Sequence, residues 1–146
     1  MQVFEDNIKQ FPLTMEIEKS LRQFESALHA VSVIEGITSD LIGSSETKMT
    51  LLTNDQFKRT EKGMIVLTCS MVCQQCPQFS SIPSANRLKF LHWFYNQFAL
   101  IYRSEMTVKK FTDPESSYAV IIPGGYVDFN NLEYIIDIEN LEQRKQ

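Results

Sequence analysis

Between Arg87 and Arg103 the chain is crowded with large apolar residues: Leu88, Phe90, Leu91, Trp93, Phe94, Tyr95, Phe98, Ala99, Leu100, Ile101 and Tyr102. Wound at 3.6 residues per turn, only Lys89, Asn96 and Arg103, with His92 and Gln97 nearby, break the apolar circumference. A surface helix carries one apolar face of roughly 100° or somewhat more, so a helix apolar nearly all round has to be covered on both sides. Two expectations follow. The first makes this helix, starting at Ser84 and running to about Arg103, a central core element. The second makes the face of Phe90, Trp93, Phe94 and Gln97 a site for a protein partner or a further copy of the chain, since aromatic side chains dominate interface hot spots.

A second helix is legible upstream. Leu13, Ile17, Leu21, Phe24, Leu28 and Val31 recur at steps of three and four and form one apolar stripe. Thr14 suits the N-cap and Gly36 the stop, so the spacing predicts a helix over 14–34 with a solvated opposite face. Residues 1–12 are too irregular to place and read as a lead-in. Residues 36–47 are rich in turn formers and read as a loop.

Lys48–Thr53 and Gly63–Cys73 are rich in strand-favouring residues, with the polar stretch Asn54–Lys62 as their connection, and predict an antiparallel pair. Pro77 and Pro83 bracket another loop. Three short strands are predicted after the aromatic helix, at Met106–Thr112, Tyr118–Ile122 and Tyr126–Phe129, with turns at Asp113–Ser116 and Pro123–Gly125. Over 130–143, Asn130 followed by Glu133 suggests a capping box and favours helix, although Tyr134, Ile136 and Ile138 alternate as in a strand.

The order is helix, two strands, helix, three strands, helix: a single α+β domain over 1–146, with helices packed on an antiparallel sheet. A chain of 146 residues leaves little room for a second core. In element order the pattern resembles the small longin and roadblock scaffold domains.

The cysteines carry the one spacing with chemical content, Cys69-x3-Cys73-x2-Cys76. It is similar to the spacing by which radical S-adenosylmethionine enzymes hold an iron–sulfur cluster. The match covers eight residues, Gln75 stands where that family carries an aromatic, and the rest of the chain reads as helix and meander instead of βαβ units. A zinc site needs four ligands, and His29 and His92 lie on different helices. The favoured expectation is structural: Cys69, Met71 and Cys73 share one face of a strand and are buried. A metal or redox site at Cys69, Cys73 and Cys76 is the alternative.

Other chemistry lacks residues. There is no nucleophile elbow, P-loop or dinucleotide fingerprint, so no catalytic residue and no cofactor is assigned. Glu133 and Asp137 would share a helix face, most simply a solvated one. A net charge of -4 with Lys and Arg scattered argues against nucleic acid as a partner. The longest charge-free stretch, Gly63–Asn86, is interrupted by glutamines, serines and prolines, so membrane insertion is not expected. Three cysteines and no N-glycosylation sequon favour the cytoplasm or nucleus. The sequence therefore predicts a non-catalytic interaction subunit or adaptor, working through an aromatic helix face or a sheet edge.

Overall fold

The computed structural model describes residues 12–39 and 48–132. The expectations for the lead-in, for the loop over 40–47 and for a helix over 130–143, including Glu133 and Asp137, lie almost wholly outside these residues. The described residues form a mixed α+β arrangement of three α-helices and a three-stranded sheet. In chain order these are α1 (Pro12–Ile34), β1 (Thr50–Leu51), α2 (Asn54–Gln75), a 3-10 turn (Pro77–Ser81), α3 (Ser84–Lys110), β2 (Tyr118–Ile122) and β3 (Gly125–Asp128).

Helix α1 begins at Pro12, two residues before the cap expected at Thr14, with proline's fixed φ suiting a first turn. It ends where expected: Gly36 takes φ 67°, the left-handed conformation that closes helices. Of the anticipated stripe Phe24 and Leu28 are buried and Leu21 and Val31 half-buried, whereas Leu13 and Ile17 are exposed, so the inward face is confined to the C-terminal part of the helix.

Helix α2 replaces the antiparallel strand pair expected from sequence. Residues 54–62 and 63–73 are not a connection and a strand but one continuous helix. Its start is fixed by a capping box: Gln56 N–H donates to Thr53 Oγ1 at 3.2 Å, and Thr53 N–H to Gln56 Oε1 at 3.1 Å. Its buried positions Thr60, Met64, Thr68 and Val72 recur every four residues and line one face of the helix. The two threonines sit inside because their hydroxyls are satisfied locally, Thr60 donating to the Phe57 carbonyl at 2.9 Å and Thr68 to that of Met64 at 2.8 Å.

The expected strand at Met106–Thr112 is likewise helical up to Lys110, so α3 runs 27 residues, about 40 Å. Thr107 holds this last part to the sheet. Its hydroxyl donates to the Arg103 carbonyl at 2.7 Å and accepts the Val120 N–H at 2.9 Å.

The sheet is mixed, not antiparallel, in the order β1-β3-β2. The hairpin of β2 and β3 is antiparallel, as expected, and turns through Gly124 at φ 78°. The short β1 joins β3 in parallel, with Thr50 opposite Gly125 and Leu51 opposite Tyr126. This parallel pairing is possible because α2 and α3 lie between the two strands in sequence and supply a long connection. The core is where the elements meet: Phe24 and Leu28 from α1, Leu52, Met64 from α2, Ala99 from α3, and Ile121, Ile122 and Val127 from the hairpin.

Candidate functional site

Among the described residues α3 is covered on one side only, and only from about Leu91 onward, since Leu88, in line with Ala99, is 69% exposed; this corrects the expectation of a core helix enclosed all round. Its inner side meets the core through Ala99, Phe98 and Tyr102. Phe98 and Tyr102 stand edge-on to Phe24 of α1, with centroids 5.1 and 5.5 Å away. From there an aromatic ladder climbs the helix in steps of four. Phe90, Phe94, Phe98 and Tyr102 stack in sequence at 6.0, 5.8 and 5.9 Å. Four residues advance slightly more than one turn, so the ladder winds from the core at Tyr102 out to the surface at Phe90.

At its upper end Phe90 touches Phe79 of the 3-10 turn at 5.6 Å and Trp93 at 6.2 Å. Three of the four partner-binding residues named from sequence, Phe90, Trp93 and Phe94, therefore form one cluster. Trp93 is 60% exposed and Phe90 40%, while Phe94 is half-buried. Gln97 is exposed and follows Phe90, Trp93 and Phe94 on the same side of the helix at steps of seven, four and three.

The exposed side extends about three turns beyond the residues expected from sequence. Beyond Gln97 the outward side continues through Leu100, Ile101 and Val108, which are 64, 68 and 70% exposed. The missed signal was the spacing 90, 93, 97, 101, 104, 108, a run of threes and fours lying opposite buried Ala99. Scattered exposed aliphatics are ordinary on any protein, but five large ones along one side of one helix form a contiguous patch.

Beside this side lies a groove of about 670 Å³ between α3 and the hairpin, bordered by Leu100, Val108, Tyr118, Phe129 and Leu132. Its inner end is closed by a polar network. Glu61 of α2 accepts from Tyr95 Oη at 2.8 Å and is ion-paired to Arg103, whose Nε–H also donates to the Ile121 carbonyl at 3.1 Å. Burial, with Glu61 as hydrogen-bond partner, pushes the Tyr95 phenol well above its ordinary range. Burial likewise raises Tyr102, aided by the charges of Glu25 and Glu105. Tyr95, Glu61 and Arg103 together tie α2, α3 and β2.

The cysteines do not lie on a strand. All three belong to α2 or its C-cap. Cys69 is half-buried while Cys73 and Cys76 are exposed, so the expectation of buried structural cysteines is corrected. Burial, then the neighbouring Cys73, pushes the Cys69 thiol up. Cys73 and Cys76 border a cleft of about 360 Å³ with Phe79, Arg87, Leu88 and Leu91. Among the described residues no group of three or more His, Cys, Asp or Glu is disposed to hold a metal ion. The histidines are apart in sequence and role, with exposed His92 within 3.3 Å of the Asn96 amide and half-buried His29 on α1. Among the described residues no helix is long and apolar enough to cross a membrane.

No protein-family model, curated protein or solved structure matches this chain.

Proposed function

We propose that this chain is a non-catalytic interaction domain, a subunit or adaptor of a protein complex in the cytoplasm or nucleus, and that the outward side of α3 is its docking surface. One observation carries the reading: Phe90, Trp93, Leu100, Ile101 and Val108 stand exposed along a single side of a 27-residue helix whose other side is anchored in the core. Holding such a surface in water is unfavourable, and burying it against another protein recovers about 25 cal/mol for each Å² of apolar area. The rigid ladder beneath supports it, because ring stacking on Phe98 and Tyr102 orders Phe90 and Phe94 before any partner arrives, which lowers the ordering cost of binding.

Polar Gln97 in the middle of the strip fits the same role, since it supplies register to an otherwise greasy contact. Three free thiols suit a reducing compartment.

Differential capture tests this. Wild-type bait and a Trp93→Glu, Leu100→Glu bait are compared in extract of the native host, with folding of both verified by circular dichroism. A protein retained by the wild type and lost with the variant is the expected result. Retention indifferent to the double substitution would overturn the reading.

A further inference from the structure

Resting on that reading of α3, we propose that the occupant of its outward side is a second copy of this chain, docked antiparallel about a twofold axis through Gln97. Gln97 is the middle residue of Ser84–Lys110, so two antiparallel helices crossing there overlap from end to end. A twofold contact brings each residue opposite its mirror position along the helix, so the patch has to complement itself. It does so by size. Phe90, the largest residue of its turn, falls opposite Ser104, the smallest on this side. On one flank Trp93 comes beside Leu100 of the other copy, and on the other flank Phe94 comes beside its Ile101. Gln97 meets Gln97, and a primary amide is self-complementary, with a carbonyl to accept and an NH2 to donate.

Charge selects the same direction. Arg87 and Glu105 project from the same flank of α3, five turns apart, and Glu105, though ion-paired to Lys109 of its own helix at 2.6 Å, is exposed and has a second oxygen to offer. In the antiparallel pair Arg87 of one copy lies within about a turn of Glu105 of the other, twice by symmetry. A parallel pair would instead set Arg87 beside Arg87 and Glu105 beside Glu105. The area is sufficient as well. With large side chains exposing on the order of 100 Å² or more each, the five exposed residues present on the order of 600 Å², close to the roughly 800 Å² that one partner contributes to a stable complex.

Sedimentation equilibrium of the purified full chain decides the matter. The wild type is expected to be a reversible dimer. Gln97→Lys, which sets two like charges on the axis, and Trp93→Glu each weaken dimerisation by roughly thirtyfold or more, the scale of a hot-spot loss. Val66→Lys, at a comparably exposed position on α2, leaves it unchanged. Arg87→Glu and Glu105→Arg each weaken the dimer, and together they restore it, a recovery that only antiparallel docking provides. A dimer indifferent to Gln97→Lys and Trp93→Glu, or a double charge swap without recovery, would overturn the proposal. A monomeric wild type with water-exposed Trp93 would overturn the homodimer while leaving the docking surface to the capture experiment. A monomer in which Trp93 is shielded by its own chain would overturn both.

Discussion

Arg103 on α3 is ion-paired to Glu61 on α2, and the two side chains are only 19 and 24% exposed. Glu61 also accepts from Tyr95, so a single carboxylate ties two turns of α3 to the neighbouring helix. This tie fixes which side of α3 faces inward and so which side is offered outward. Glu61→Ala leaves the Arg103 guanidinium and the Tyr95 hydroxyl without their partner, and hydrogen bonds to charged groups contribute about 1.5 to 3 kcal/mol. Urea unfolding is expected to show a loss of about 2 kcal/mol with an unchanged denaturant slope. A midpoint equal to that of the wild type would show that the pair does not hold α3 in place.

Gly125 marks where β1, β3 and the end of β2 converge. A Cβ there would lie 2.6 Å from Leu52 Cδ2, 2.9 Å from Ile122 Cγ2 and 3.1 Å from Ile37 Cγ2, all of them buried groups. Gly125→Ala is expected to destabilise by about 1 to 3 kcal/mol through overpacking. The same change at Gly63, where only Val31 methyls approach at 3.2 and 3.5 Å and alanine favours the helix, is expected to be much milder. Thermal melts of the two variants side by side measure the difference, and equal losses would contradict it.

Much of this architecture is legible in the sequence, and what is not has a local cause. The stripe on α1 from Leu21 to Val31, the stop at Gly36 and the hairpin turning at Gly124 follow directly from apolar spacing and turn chemistry, whereas Leu13 and Ile17 continue the spacing but stand exposed. Helix α2 is hidden because its inward face includes Thr60 and Thr68, which count as polar in any hydrophobic pattern and as strand formers by β-branching. Only their hydroxyl bonds to the preceding turn make them good interior residues. The capping box of Thr53 and Gln56 is the signal that identifies the helix. The outward side of α3 is half legible: Phe90, Trp93, Phe94 and Gln97 stand out by aromatic density, whereas Leu100, Ile101 and Val108 become distinctive only once Ala99 defines the inner side. The parallel pairing of β1 depends on two intervening helices and leaves no local trace.

Tyr95 and Tyr102 hold their protons more tightly in the fold than in the unfolded chain, where a phenol titrates near pH 10. A raised folded value means that this contribution to stability is whole below about pH 10 and is lost as pH climbs through the folded value. Absorbance titration of tyrosinate should therefore show two phenols lagging behind the ordinary transition, with one lagging step missing in Tyr95→Phe. Ionisation of all tyrosines together near pH 10 would contradict the burial described.

Thiol chemistry separates the cysteines in the same way. The thiolate is the reactive form, and the Cys69 thiol is both half-buried and raised above its usual range by that burial and by Cys73. Iodoacetamide is expected to modify exposed Cys73 and Cys76 before Cys69 at neutral pH, with the lag narrowing as pH rises. Peptide mass spectrometry follows each site, and modification of Cys69 as fast as the others would contradict its position on α2.

The outward side of α3 is proposed to be a surface covered by protein. The chain has one tryptophan, and Trp93 lies in the middle of the aromatic cluster on that side, so its emission reports on this surface alone. Emission and iodide quenching of Trp93 are measured from high dilution upward, and again with any captured protein added. A red, readily quenched indole is expected in the dilute chain, turning blue and protected as the chain is concentrated or its partner is bound. A signal that keeps the character of a water-exposed indole under every one of these conditions would contradict it.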